Sequence, residues 1–422
     1  MTPTTDPYAA LRQPHFARYI ATLFTLTLAI QIQGTVVGWQ VYDLTKDPLA
    51  LGMIGLAEAL PAISFALFAG HVADRRDRRR VALVALWVLV ACSVALWLLA
   101  GPRPLGLDAL DRMRVTAIYG VIIISGVARA FLQPARQALS AELVPRALFA
   151  NAITWRSGSW QLASVIGPAL GGLLYAVGGT RLAYGVDFAL MLVATGLLLS
   201  IAHRSPERGV MHEGVWSSVS GGVRFVMREP VLLGALTLDL FSVFFGGAVA
   251  LLPIFAAEIL KVGPTGLGLL RAAPAVGAVV MGLVLARRKD WDHTGRVLLF
   301  AVAGFGLCML GFGLSTTFWL SLALLVASGM CDMVSVVIRS TLLQSRTPEG
   351  MLGRVSSVNQ IFVGSSNEIG MFESGVTARW WGPVGSVVVG GLATLGVVGL
   401  IAWRVPTLRR LGRLHSEERT GV

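Results

Sequence analysis

Hydrophobic residues recur along the chain in long runs that are separated by short polar segments. Each run has about the 20 residues that a helix needs to cross the hydrocarbon core of a bilayer. Twelve such runs are found, near residues 19–42, 50–73, 80–101, 115–138, 148–177, 181–202, 230–258, 264–286, 296–315, 317–343, 352–380 and 383–403. This pattern predicts an all-α polytopic membrane protein with 12 transmembrane helices.

The longest polar segment, residues 203–229, divides the twelve spans into six and six. We therefore expect an N-terminal six-helix bundle over 1–202, a cytoplasmic linker over 203–229, and a C-terminal six-helix bundle with a cytoplasmic tail over 230–422. Apolar residues near the end of the linker recur at helical spacing beside Arg224 and Arg228. They favour an amphipathic helix on the membrane surface, and a flexible linker is the alternative.

The two halves of the chain resemble each other. Glycine, proline and arginine residues match at nearly constant offsets through several spans. Matching positions include Gly55 and Gly268, Pro61 and Pro274, Ser125 and Ser328, Gly126 and Gly329, Arg136 and Arg339, Gly167 and Gly370, and Gly172 and Gly375. Such parallel repeats are typical of transporters that carry their substrate site between two bundles. The twelve helices are thus expected to form two pseudo-symmetric six-helix bundles.

The composition agrees with a membrane protein. Charged residues make up 14% of the chain, against about 25% in soluble domains. The net charge is +12, but most basic residues lie in the loops on one side, as the positive-inside rule requires. We therefore expect both termini in the cytoplasm and no nucleic-acid partner.

Other classes of function find little support. The three cysteines lie inside apolar runs, so neither a disulfide framework nor a metal site is predicted. Residues 1–18 are polar and lack an apolar signal-peptide region, so we expect no cleaved signal peptide. We find no ATP-binding loop and no catalytic triad, so we expect no enzyme activity and no cofactor. Uphill transport would then draw on an ion gradient.

The most charged stretch, Gly70–Arg80, lies between the second and third spans and reads GHVADRRDRRR. So many charges do not enter hydrocarbon, which places the stretch in water or headgroups. Its pattern resembles the signature loop of the major facilitator superfamily. The aspartate at position 77, where that superfamily usually has glycine, resembles the branch that includes the enterobactin exporter and drug:proton antiporters.

Further stretches resemble the same branch. They are Gly38–Thr45, Gly353–Val355, Asn367–Gly370 and Glu373–Gly375. The resemblance implies a cytoplasmic latch between the two halves, in which Asp74 is the principal residue. The latch residues are expected to be Gly70, Asp74, Arg75, Asp77, Arg78, Arg79, Gly353 and Arg354. The alternative is that the arginines only set orientation, which we favour for Arg76 and Arg80.

Ionisable residues inside spans are costly in a bilayer and are usually functional or paired. They are Glu58, Arg129, Arg156, Asp187, Asp239, Arg271, Asp332, Arg339, Glu368 and Glu373. Glu373, Arg156 and Arg339 lie nearer to span ends, where snorkelling to the interface is a sufficient explanation.

The repeat relates some of these charges to each other. Glu58 corresponds to Arg271, and Arg129 corresponds to Asp332, so equivalent positions carry opposite charges. These four are candidates for ion pairs.

The resemblance implies that spans 1, 4, 7 and 10 line a central cavity. The residues expected in coupling or in the substrate cavity are Gln33, Trp39, Gln40, Glu58, Arg129, Asp239, Arg271, Asp332 and Glu368. Asp239 and Asp332 are the first candidates for proton coupling, and a static ion pair is the alternative for each.

Two features without charge complete the candidate sites. Gly167, Pro168, Gly171 and Gly172 in span 5 resemble the glycine–proline motif of superfamily antiporters, and a simple packing kink is the alternative. Trp39 with Phe241, Phe244 and Phe245 could form an aromatic wall for an organic substrate, although each is more often a packing residue or a lipid contact.

We therefore expect a transporter in the inner membrane of a bacterium, a monomer in the lipid bilayer, working by alternating access. Its predicted activity is export of a small organic compound, siderophore or drug-like, in exchange for protons. Nutrient uptake, facilitated diffusion and a non-transporting membrane sensor are the alternatives.

Overall fold

The computed structural model describes residues 6–101, 108–202, 215–246, 248–287 and 292–412. These residues form helices and contain no β-strand. The α-helices are α1 (Pro14–Thr45), α2 (Pro48–Arg75), α3 (Arg78–Leu99), α4 (Asp108–Glu142), α5 (Phe149–Leu199), α6 (Val215–Arg228), α7 (Pro230–Phe245), α8 (Ala248–Ile254), α9 (Gly263–Ala286), α10 (Thr294–Leu314), α11 (Phe318–Arg346), α12 (Leu352–Arg404) and α13 (Pro406–Arg409). Short turns of 3₁₀ helix cover Arg146–Leu148 and Glu349–Met351, and a π-helical turn at Phe255–Ile259 continues α8.

Ten helices in the described part of the chain are long and apolar enough to span a membrane. Two of them exceed a single crossing. The 51 residues of α5 would measure about 77 Å as one straight helix, more than twice the hydrocarbon thickness. The chain leaves helical geometry at Gly179 in α5 and at Gly382 in α12, each with a positive φ that glycine tolerates. Each long helix therefore reads as two crossings, which is consistent with the twelve predicted spans and confirms the all-α membrane fold.

The chain divides into two compact units. Unit 1 contains Met1–Lys46, Ala57–Met211 and Gly263–Ala272. In this unit α5 packs along α1 and α3, and α3 packs along α4. Its core is apolar and includes Phe16, Leu86, Leu139 and Met191, all fully buried.

Unit 2 contains Asp47–Leu56, His212–Val262 and Ala273–Val422. Here α12 packs along α7 and α10, and α10 packs along α11. Its core includes Leu232, Leu238, Leu298 and Leu342. Each unit thus includes a short helical segment from the other half of the chain. Unit 1 includes the first part of α9, and unit 2 includes the first part of α2.

The domain boundaries expected at residues 202 and 229 stay a prediction.

A helix is present where the linker pattern indicates one, as α6. Residues 203–214 and the side chains of 215–219 lie outside the described part. Farther along α6, Val226 is buried in the core of unit 2, while Val223 and Met227 are exposed. The helix therefore has one face packed on protein and one apolar face that is open.

Candidate functional site

Three charged residues meet inside unit 2. Asp239 on α7 forms a buried ion pair with Arg339 on α11, and both side chains are less than a tenth exposed. The guanidinium also donates from Nε to Ser335 Oγ at 3.3 Å. Asp332 lies on the same face of α11, because positions 332, 335 and 339 are one and two helical turns apart. The cluster therefore joins two carboxylates to one guanidinium.

The two carboxylates border a small cavity within unit 2. Ser242, Ser335, Phe305 and Cys331 also line it, with two valines. Among the residues that the structure describes, Asp332 makes no ion pair of its own. With both acids ionised, the three charges sum to −1, and a net charge in such surroundings is costly. A proton or a cationic group would balance it.

The position of Arg339 corrects an expectation. Snorkelling to the interface, expected because this residue lies near a span end, is wrong: the side chain is buried and holds Asp239. The sequence contained a usable signal, since Arg339 lies seven residues after Asp332 and so shares its helix face. The partner on α7 could not be read from spacing.

A second charged cluster lies in unit 1. Arg129 on α4 donates to Glu58 on α2 at 2.7 Å, and about a quarter of each side chain is exposed. Arg271, in the first part of α9, donates to the main-chain carbonyl of Gly34 on α1 at 2.8 Å. Glu58 therefore pairs with Arg129, while Arg271 binds a backbone carbonyl and lies within electrostatic range of Glu58.

The polar residues of α1 hold the last part of α5. Gln33 donates to Asp187 Oδ2 at 3.3 Å, and Gln40 accepts from the Tyr184 hydroxyl at 2.6 Å. Gln40 is buried, so its amide oxygen is occupied by this hydrogen bond within the protein. Trp39 lies edge-on to Tyr175, with ring centroids 6.1 Å apart. A role for Gln33, Trp39 and Gln40 in a substrate cavity stays a prediction.

The glycine–proline motif of span 5 lies where α5 meets two other helices. A Cβ added to Gly167 would lie 2.5 Å from Gln31 Cβ on α1, and one added to Gly171 would lie 3.1 Å from the Ile32 carbonyl. At Gly172 it would lie 2.9 Å from Gly268 Cα on α9. Glycine is therefore required by close helix approach. Pro168 sits between these contacts, inside the helix and buried.

In the charged stretch, three side chains make contacts within unit 1. Asp77 caps α3 by accepting from the Arg80 main-chain N–H at 3.1 Å. Arg78 is buried and forms an ion pair with Glu142 at the end of α4. Arg79 donates to the Leu199 carbonyl, at the end of α5, at 2.8 Å. These contacts tie the start of α3 to the ends of α4 and α5.

The latch between the two halves stays a prediction for all of its residues. The side chains of Asp74 and Arg75 lie outside the described residues, and among the described residues a Cβ on Gly70 would meet no atom within 4 Å.

Two other predicted residues pack within unit 2. Arg354, at the start of α12, lies against α6: its carbonyl is 2.9 Å from where a Gly222 Cβ would be. The Glu368 carbonyl lies 2.6 Å from the corresponding point at Gly55. Phe245 stacks on Phe241 at 6.0 Å between centroids, and a wall for substrate stays a prediction.

Membrane-spanning helices in two repeat-related units, with charges paired inside them, define a transporter of the major facilitator fold. Solved structures share this fold. A POT family transporter in complex with 5-aminolevulinic acid gives a TM-score of 0.73 at 11% identity, covering 93% of this chain and 96% of that one. A bacterial homologue of the iron transporter ferroportin in an inward-facing state gives 0.69 at 15% identity, covering 91% and 98%.

The family model described as "transmembrane secretion effector" matches residues 5–418. The chain belongs to this family, a family of membrane transporters rather than enzymes. Curated relatives include "Enterobactin exporter EntS" of Shigella flexneri, 27% identical over 94% of this chain and 93% of the relative. The protein of that name from Citrobacter koseri is 27% identical over 92% and 91%. The resemblance to the major facilitator superfamily and its exporter branch is thus confirmed.

Proposed function

We propose that this protein exports a small organic compound, siderophore or drug-like, by alternating access in exchange for protons. The observation that carries the proposal is the cluster of Asp239, Asp332 and Arg339 beside a cavity in unit 2. The energy comes from the proton gradient, and no cofactor takes part. We place the protein as a monomer in the inner membrane of a bacterium, with both termini in the cytoplasm.

The cluster has the chemistry that proton coupling needs. With one proton bound, two carboxyl groups and one guanidinium are neutral together. Without it they carry one negative charge. A neutral cluster is tolerated in an enclosed, dry environment, whereas a charged one favours contact with water. Proton binding would therefore favour one conformation over the other, which is the differential interaction that coupling requires.

Asp332 is the better candidate for the exchanging proton. Asp239 is held by Arg339, so its loss of charge would break a buried ion pair. Asp332 has no such pair among the described residues and borders the same cavity. We infer that Asp332 binds and releases the proton, while the ion pair of Asp239 and Arg339 holds the cluster in position.

The relatives support the proposed direction and substrate class. They are named enterobactin exporters, and 27% identity over nearly the whole chain favours export of a related compound.

The test uses the full chain in everted membrane vesicles, with enterobactin as the first probe and lipophilic cationic drugs as the second. Movement into everted vesicles corresponds to export. We expect an imposed acid interior to drive accumulation of a probe. Asp332→Asn should lower this gradient-driven component by roughly 5–150-fold, the range of a 1–3 kcal/mol coupling energy. Asp6→Asn, at a half-buried aspartate paired with Arg12 outside the spans, is the matched control.

Other outcomes would overturn the proposal. Equilibration without response to the gradient would indicate facilitated diffusion. Accumulation only in right-side-out vesicles would indicate uptake. Binding without movement of any probe would indicate a sensor.

A further inference from the structure

Another acid inside a membrane span, Asp187, has no part in the mechanism above. Asp187 lies in the last part of α5, within unit 1, and is fully buried. Its Oδ2 accepts one long hydrogen bond from Gln33, at 3.3 Å. Its Oδ1 has no hydrogen-bond partner in the described part of the protein. No arginine, lysine or histidine among those residues forms an ion pair with it.

Ser93 on α3 is the neighbour that explains this arrangement. Its side chain is also fully buried, it interacts with the Asp187 carboxyl, and its Oγ lacks a well-aligned partner. Two orphaned oxygens therefore lie together. The serine hydroxyl could donate to an ionised carboxylate, but that bond would leave a fully buried negative charge without a cation. A carboxylic acid carries no charge, and its O–H can donate to the serine oxygen.

We propose that Asp187 is a proton-binding site of unit 1, with the bound proton on Oδ1 and shared with Ser93 Oγ. The proton comes from water and returns to it, so no other group changes its charge. An ionised carboxylate, fully buried and without a cation, is the costly alternative.

The charged and titratable groups around Asp187 leave its carboxyl without a cationic partner among the described residues, so a proton is the ligand that would neutralise it. From its own helix, Tyr184 lies one turn away, and its hydroxyl is already donated to α1. From α3, the Cys92 thiol lies within electrostatic range of Asp187. From α4, Arg129 is within range of that thiol, and it forms an ion pair with Glu58.

The site is placed to act on α1. Loss of the proton would strengthen the hold of the carboxylate on Gln33. The adjacent residue, Gly34, supplies the carbonyl that binds Arg271, and Gln31 packs on Gly167. The segment 31–34 of α1 therefore binds Asp187 and also contacts the Gly167 region of α5 and Arg271 of α9. Exchange of this proton during transport rests on the proposed antiport, whereas its binding does not.

The binding test is infrared difference spectroscopy of the purified full-length protein in detergent after a pH jump. The wild type should show a carbonyl band of a protonated carboxylic acid that Asp187→Asn lacks and Asp239→Asn retains. Ser93→Ala should shift the same band, because it removes the hydrogen-bond acceptor. An unchanged band pattern in Asp187→Asn would overturn the proposal. If that variant does not fold, an unshifted band in Ser93→Ala would overturn it instead.

The exchange test separates this site from the unit 2 cluster. We expect enterobactin added to the detergent-purified protein to release protons, and we expect Asp187→Asn to release fewer than the wild type. Equal release from the wild type and Asp187→Asn, with release lost in Asp332→Asn, would overturn exchange at Asp187 and leave the proposed function intact. Wild-type protein that releases no protons but keeps the Asp187 band would overturn antiport and support the binding site.

Discussion

The glycine pair Gly172 and Gly268 allows the closest approach between α5 and α9 in unit 1. A Cβ on Gly172 would lie 2.9 Å from Gly268 Cα and closer still to the Pro264 carbonyl oxygen; one on Gly268 would lie 2.6 Å from the Pro168 carbonyl. These obstacles are backbone atoms, which cannot move by changing rotamer. For Gly172→Ala the limiting obstacle is the Pro264 carbonyl oxygen, 2.4 Å from the added Cβ, so the helices must separate there by about 1 Å to reach ordinary contact at 3.4 Å, which is overpacking.

Overpacking of this kind costs about 1–3 kcal/mol. The higher helix propensity of alanine returns up to about 1 kcal/mol. Subtracting this gain leaves a net loss of up to about 2 kcal/mol for Gly172→Ala, measured as a lower midpoint of thermal unfolding in detergent. Gly196→Ala is the matched control, because it also lies in α5 and its Cβ would meet no atom of the described residues within 4 Å. A midpoint for Gly172→Ala equal to or above that of Gly196→Ala would refute the reasoning.

Three further predictions concern unit 1. Arg78→Ala should destabilise by about 3–5 kcal/mol because it breaks a buried ion pair with Glu142, while Arg80→Ala, on an exposed residue, should not; equal unfolding midpoints would contradict this. Asp77→Ala should cost about 1 kcal/mol by removing the N-cap of α3, and Asp77→Gly only a few tenths; a larger loss for glycine would argue against a capping role. Tyr184→Phe should lower stability by about 1–3 kcal/mol, since it leaves a buried amide oxygen on α1 without its donor; an unchanged midpoint would show that this bond adds nothing.

The fold could be predicted from the sequence because hydrocarbon imposes a simple rule. A span must be apolar over about 20 residues and must satisfy its own backbone, which leaves helices as the solution. The two bends at Gly179 and Gly382 were also accessible, since each lies between two predicted spans. What the pattern could not show is that the first part of α2 packs in unit 2 and the first part of α9 in unit 1. Hydropathy reports the depth of a residue in the membrane and not its neighbours.

The candidate sites were predicted less completely, for a related reason. Listing charges inside spans found Glu58, Arg129, Asp239 and Asp332, because each is costly wherever it lies. Pairing them requires the rotation of each helix about its axis, which one sequence does not fix. The expectation for Arg339 was wrong because closeness to a span end allows snorkelling but does not require it. The side chain instead pairs with the carboxylate of Asp239 on α7.

The substitution at Asp77 shows how one position can vary within a shared pattern. The superfamily signature usually has glycine there, and this chain has aspartate as the N-cap of α3. Both residues are favourable at an N-cap, aspartate by accepting a main-chain N–H and glycine by its backbone freedom. The exchange therefore keeps the start of the helix while adding one negative charge among five arginines.

The two repeats have kept their close packing more faithfully than their charges. In unit 1, Gly172 meets Gly268; in unit 2, the equivalent of Gly172, which is Gly375, meets Gly52. Gly52 lies one turn before Gly55, the equivalent of Gly268, so the second crossing uses the same helix pair shifted by a turn. Close backbone approach accepts only glycine at such points, so each copy is constrained in the same way. A charge inside a span needs only a partner nearby, and opposite signs can then occupy equivalent positions in the two copies.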